Sequence, residues 1–292
     1  MKLGTLHSDT AIRRLLLAVA AVMALASPTQ AQTIADAPPQ ATAAIGENFT
    51  LASPLMGMDR ELNVLLPQGY ADQPDRVWPV VYLLDGGQTQ DFPAYANTAA
   101  GLMANGEMAD VIFVGVASMD RQNELTWRST DRRILRQWPN HGQSDRFRRF
   151  LELEVKPWVE AHYRTSGDDA VMGESAAALF IVETFLNTPD LFDRYLAVSP
   201  SMWWDHASLG ADAAALLAEH PTGDRQLLLT IGDEGGEMQA GLDALIEALT
   251  EAPPEGLLWT YEPRHDLTHS TIFAQMGPAF LRQAYPPTEP AQ

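Results

Sequence analysis

Between positions 78 and 285 the chain alternates between two kinds of apolar pattern, and this alternation restricts its fold more than any other feature. Short continuous apolar runs occur at 78–84 (WPVVYLL), 111–117 (VIFVGVA), 170–172, 195–199 (YLAVS), 226–231 (QLLLTI) and 257–261 (LLWTY). Continuous runs of this length suit strands buried on both faces. Helix-like stretches follow at 146–162, after Ser175, and at 207–219, 237–251 and 271–285, with a kink or break expected at Pro157. Strand-then-helix order predicts a mostly parallel sheet with helices on both faces, an α/β fold. Two further strands, around 49–51 and 62–66, precede this region. No internal repeat or domain linker interrupts it.

In such sheets ligands bind beyond the carboxyl ends of the strands. One of those ends, Asp168 to Leu179 (DDAVMGESAAAL), joins a strand to a helix through a cramped turn with Ser175 at its apex. A serine presented this way occupies a strained backbone position, and the residues two places either side must be small enough to pack together. Gly173 and Ala177 meet that need, giving G-x-S-x-A where G-x-S-x-G is the commoner form. The same pattern also fits a glycine-ended strand followed by a helix that Ser175 merely caps.

The other strand ends carry the groups a serine nucleophile would require. Asp85-Gly86-Gly87-Gln88 follows the 78–84 run, and its glycine pair can bring a backbone N–H close to a developing oxyanion. The N–H of Ala176 is the natural second donor. Asp233 and Glu234 follow the 226–231 run, and Glu237 suits the first turn of the next helix. His265 and His269 follow the 257–261 run. Of seven histidines, only these two satisfy the order serine, acid, histidine near the C-terminus. A serine hydroxyl is a poor nucleophile at neutral pH. It needs an imidazole to take its proton and a carboxylate to hold that imidazole in the right tautomer.

At the N-terminus, Lys2, Arg13 and Arg14 precede a 12-residue apolar run at 15–26, and Thr29-Gln30-Ala31 resembles a small-residue cleavage site. This predicts a signal peptide over 1–31 and a periplasmic or secreted protein, because the run is too short to span a bilayer. Residues 32–47 read as a flexible lead-in, 48–286 as the folded domain and 287–292 as a tail. The chain has no cysteine, which excludes disulfides and thiol chemistry. Its net charge is −19, and losing three basic residues and Asp9 with the leader takes it to about −21. That balance disfavours nucleic acid and anionic membranes as partners, and no later segment reads as a membrane span. One segment opposes the trend, since 121–149 holds eight arginines and only three acids.

Four stretches together resemble the putative-esterase family of α/β-hydrolases, which includes siderophore-ester hydrolases, S-formylglutathione hydrolases, feruloyl esterases and mycolyltransferases. They are Val81-Tyr82-Leu83-Leu84-Asp85-Gly86, Gly173-Glu174-Ser175-Ala176-Ala177, Ser199-Pro200-Ser201-Met202-Trp203-Trp204 and Thr268-His269-Ser270. The third is the most specific and is similar to the branch near the enterobactin-type esterases. The likeness covers about 48–285. It implies an α/β-hydrolase fold, with Ser175 as nucleophile, His269 as base, Gly87 and Ala176 as oxyanion donors, and Glu234, with Asp233 next, as the acid, or else a serine–histidine pair without an acid, as in some siderophore esterases.

An exported serine esterase acting on a small-molecule ester through an acyl-enzyme is therefore expected, with siderophore-type, aryl or acyl esters as substrates. No metal or organic cofactor is expected. Trp203 and Trp204 are candidates for an apolar wall of the cleft, or else for core packing. Arg121 and its neighbours up to Arg136 are candidates for meeting an anionic or catecholate substrate, while Arg146, Arg148 and Arg149 are expected on a helix surface. The rival readings are an acyltransferase to a sugar or lipid hydroxyl, and a non-catalytic binding protein. The oligomeric state is open.

Overall fold

The structure, a computed structural model, describes residues 45–287; the expected leader and most of the lead-in and tail lie outside them. The eight strands are β1 (Glu47–Ser53), β2 (Met58–Leu65), β3 (Trp78–Leu84), β4 (Ile112–Val116), β5 (Thr165–Glu174), β6 (Arg194–Val198), β7 (Arg225–Ile231) and β8 (Leu257–Pro263). They form one sheet in the order β1-β2-β4-β3-β5-β6-β7-β8. β1 with β2 and β2 with β4 are antiparallel, and every later pair is parallel.

Side-chain alternation divides the core in two. Val80, Tyr82 and Leu84 of β3 face one helical layer, whereas Val81 and Leu83 face the other. The first layer contains α4 (Ser144–Phe150), α5 (Lys156–His162), α6 (Ala176–Asn187), α7 (Trp204–Ala218) and α8 (Gly236–Glu251). The second contains α1 (Phe92–Ala104) and α9 (His269–Ala284). Two short helices, α2 (Arg121–Glu124) and α3 (Arg132–Gln137), lie in the arginine-rich segment after β4.

The strands and helices expected from the sequence are present, with three differences. α1 was not anticipated: its run of Ala, Asn, Thr and Gly offers little polar contrast. Phe92, Tyr95, Ala96, Ala99 and Leu102 nevertheless line up as one buried face at helical spacing. The 146–162 stretch is not one helix kinked at Pro157. α4 passes through a π-helical turn at Leu151–Val155 into α5, and Pro157 sits directly after that turn, in the first turn of α5. Arg148 is not on the surface either. It is 6% exposed, pairs with Glu183 at 3.1 Å and donates to the Thr184 hydroxyl at 3.2 Å.

The sheet gathers the candidate residues at the carboxyl ends of its parallel strands. Ser175 follows β5, Ser199 and Ser201 follow β6, Glu234 follows β7 and His269 follows β8. A buried ion pair between Arg60 of β2 and Glu124 of α2, at 2.6 Å, fastens the segment after β4 to the antiparallel edge. Among the described residues no helix is long and apolar enough to cross a membrane.

Candidate active site

Ser175 has φ 62° and ψ −116°, a conformation that few side-chain-bearing residues adopt. Its N–H donates to Val198 O at 3.0 Å, and its carbonyl accepts from Leu179 N at 2.8 Å and Ser201 N at 3.1 Å. These bonds hold the strained turn from both neighbouring elements. Gly173 is required by proximity, because a Cβ there would stand 2.7 Å from the Cβ of Ala177.

Three of the candidate side chains form a continuous relay. Ser175 Oγ lies 3.0 Å from His269 Nε2, and His269 Nδ1 lies 2.9 Å from Glu234 Oε1. A carboxylate can only accept, so Nδ1 carries the proton and Nε2 is left free to accept from the serine hydroxyl. His269 opens α9, and the capping box formed by Thr268 and Thr271 fixes where that helix begins. Glu234 is itself held. The fully buried Ser199 hydroxyl donates to its Oε1 at 2.5 Å and accepts from Gly232 N at 3.2 Å.

The rivals are not brought to the serine. Asp233 is exposed and anchored only through its N–H to Leu267 O at 2.8 Å, and His265 is exposed beside the Arg264–Asp266 pair.

The two expected oxyanion donors differ. Ala176 is the first residue of α6, where an N–H has no carbonyl one turn back to bond. The Gly87 N–H instead donates to Gln90 Oε1 at 2.9 Å, and the Gln90 amide in turn bonds Ser118 O at 2.9 Å. Gly87 sits where expected but its donor is already taken.

The two tryptophans separate. Trp204 is 1% exposed and its indole N–H donates to Trp127 O at 3.1 Å, so it is a core residue and cannot line a cleft. Trp203 is half-buried and joins Trp138, Ile134, Gln137, Asp131, Arg133 and Glu237 around a groove of about 150 Å³. The groove is drawn from the segment after β4, the loop after β6 and the first turn of α8, and its lining does not include Ser175, Glu234 or His269. A larger cavity of about 860 Å³ lies at the opposite ends of β5 to β8 and contains none of these residues.

Arg121 binds protein at the rim. Its Nε donates to Asp85 Oδ2 at 2.7 Å, and its Nη2 reaches Glu174 O at 3.3 Å, tying the loops after β3 and β4 to the elbow. The Glu174 carboxyl was not singled out from the sequence. Burial pushes its pKa up to about 7, with His269 and Arg121 pulling it down and Asp91 and Glu234 adding to the rise. One of its oxygens is buried without a hydrogen-bond partner among the described residues.

Comparison with known proteins places this arrangement. Residues 53–257, more than half of the chain, match the esterase family described as "Putative esterase". The chain belongs to this esterase family. It is 26% identical over 161 residues to the ferri-bacillibactin esterase BesA of Bacillus subtilis, covering 50% of this chain and 56% of that protein. It is 37% identical over 81 residues to the siderophore enterobactin esterase of Emericella nidulans, covering 27% of each. The chain thus spans about half or less of the length of the curated relatives it matches. An IroE-like serine hydrolase from Shewanella oneidensis superposes with a TM-score of 0.73 at 25% identity, over 81% of this chain and 79% of the other. The BES protein from Bacillus cereus shares the fold, with a TM-score of 0.72 at 22% identity over 85% of this chain and 98% of that one. These neighbours share the α/β-hydrolase fold.

Proposed function

We propose that this family member is an exported serine hydrolase that cleaves carboxylic esters through an acyl-enzyme. The observation that carries the reading is the unbroken line from Glu234 through His269 to the oxygen of a strained, half-buried Ser175. As Ser175 Oγ bonds to the ester carbonyl carbon, its proton passes to His269 Nε2. The carbonyl electron pair moves onto oxygen, and Glu234 balances the imidazolium. The tetrahedral intermediate collapses, the ester C–O bond breaks, and His269 returns the proton to the leaving alkoxide. Water then repeats the cycle on the acyl-enzyme and frees the acid. Ala176 N–H supplies one oxyanion bond. Gly87 N–H supplies another once the substrate oxygen displaces Gln90 Oε1.

Siderophore-type or other aryl and acyl esters are the proposed substrates. The support is the likeness to siderophore esterases, the Trp138–Trp203 groove as a flat apolar wall, and the exposed Arg128, Arg132 and Arg136 nearby in sequence. Among the described residues these three arginines make no ion pair with an acid, so they are free to meet a catecholate or carboxylate. Export is proposed from the leader-like 1–31 segment and fits the absence of cysteine. The test is hydrolysis of p-nitrophenyl acetate and of a cyclic catecholate ester by wild type and Ser175→Ala. Loss of both activities in the variant is expected, and retention of hydrolysis would overturn the proposal.

A further inference from the structure

The Ser201 hydroxyl is buried, with the residue 5% exposed, and its one hydrogen-bond partner among the described residues is Ser175 Oγ at 3.2 Å. A buried hydroxyl normally finds a backbone or side-chain acceptor of its own. Here it faces the oxygen that attacks. The direction of the bond follows from the relay. Nδ1–H of His269 is committed to Glu234, so Nε2 must accept, and the Ser175 proton is committed to Nε2. Ser175 Oγ therefore meets Ser201 only as an acceptor, and Ser201 is the donor.

The geometry points to Ser201 as a further catalytic residue, a hydrogen-bond donor that stabilises negative charge on the nucleophile oxygen. This rests on Ser175 being the nucleophile. At 3.2 Å the bond is long for O–H···O, hence weak while Ser175 is neutral. It strengthens while proton transfer to His269 runs ahead of the new C–O bond, when part of the charge rests on Oγ, and again as Oγ leaves the acyl group in deacylation. An interaction that gains strength on the way to the transition state lowers the barrier instead of deepening the ground state. Ser201 keeps its own proton throughout, and no bond forms to it.

The backbone builds the contact in. Ser201 N donates to the carbonyl of Ser175 itself at 3.1 Å, while Trp204 N bonds Ser201 O at 3.1 Å and Met202 N bonds Pro200 O at 2.7 Å. Pro200 limits the torsional freedom of the residue before it. Ser199, one step earlier, holds Glu234. The Ser199-Pro200-Ser201 segment thus touches the acid at one end and the nucleophile at the other.

The test is fluorophosphonate labelling of wild type, Ser201→Ala and Ser175→Ala, followed to saturation, with thermal unfolding of each. For Ser201→Ala we expect the limiting labelling rate to fall about 10- to 100-fold, the size of one lost charge-assisted bond. The half-saturating concentration should hold within about 2-fold and Tm should change little, which a merely structural role would not produce. If the alanine variant does not fold, Ser201→Gly removes the same hydroxyl and carries the same expectation. Wild-type labelling rates in a hydroxyl-free variant, with Ser175→Ala unlabelled, would overturn the role of Ser201 alone. Labelling that persists in Ser175→Ala would overturn the nucleophile assignment beneath it.

Discussion

Ser175 could be singled out from the sequence because the elbow imposes a steric rule, and Gly173 and Ala177 display it. The choice between Asp233 and Glu234 could not be read the same way. Adjacent residues leave a turn in different directions, and the deciding contacts, Ser199 and His269, come from other strands. The structure separates the two histidines by the same logic. We therefore expect His269→Ala to lower kcat for p-nitrophenyl acetate by at least about 10³-fold, while His265→Ala retains most activity. The reverse pattern in steady-state assays would contradict the relay. Glu174 gives a pH prediction. Its folded carboxyl holds a proton up to about pH 7, whereas the unfolded group loses it near 4.5. Between those values the folded state binds more protons, so stability falls as pH rises through the window. Gln cannot ionise. The Tm of Glu174→Gln relative to wild type should therefore increase from pH 4.5 to 7 and then level off. A difference independent of pH would show that burial does not hold this proton.

At the scale of elements, the apolar runs of β3 to β7 were legible because parallel strands are buried on both faces and leave continuous hydrophobic sequence. β8, an edge strand, carries an apolar run although each of its residues is at least partly exposed. α1 was missed because alanine-rich helices bury their face with little polar contrast, and the π turn at Leu151–Val155 leaves no compositional mark. The loop after β6 shows the limit of spacing arguments. Trp203 and Trp204 are consecutive, yet one borders the groove and the other enters the core. Directly after them Asp205, His206 and Ala207, within the bounds given for α7, all have positive φ, so α7 is regular only beyond Ala207, and Asp205 accepts from Ser129 Oγ at 2.9 Å and Thr130 N at 2.7 Å. This loop therefore joins the relay to the segment after β4. Trp204→Ala should destabilise the protein by about 3–5 kcal/mol in denaturant unfolding. Trp203→Ala should cost far less stability and should weaken aryl esters more than acetyl esters in kcat/KM. Equal stability losses would place both rings in the core.

For the whole molecule, charge provides a test that sequence arithmetic alone would misjudge. A net charge of −19 predicts repulsion of anionic substrates, relieved by salt. The exposed Arg128, Arg132 and Arg136 predict local attraction instead, weakened by salt. We expect kcat/KM for an anionic ester, relative to a neutral one, to fall between about 20 and 300 mM NaCl. A rise would mean that the overall charge governs encounter. The sheet order brings groups 94 residues apart, Ser175 and His269, to 3.0 Å. That convergence underlies the proposed chemistry, and it is tested most directly by trapping the acyl- or phosphonyl-enzyme and mapping the modified peptide by mass spectrometry. The adduct is predicted on Ser175 alone and should be lost in His269→Ala; an adduct on another residue, or none on the folded wild-type protein, would contradict the account.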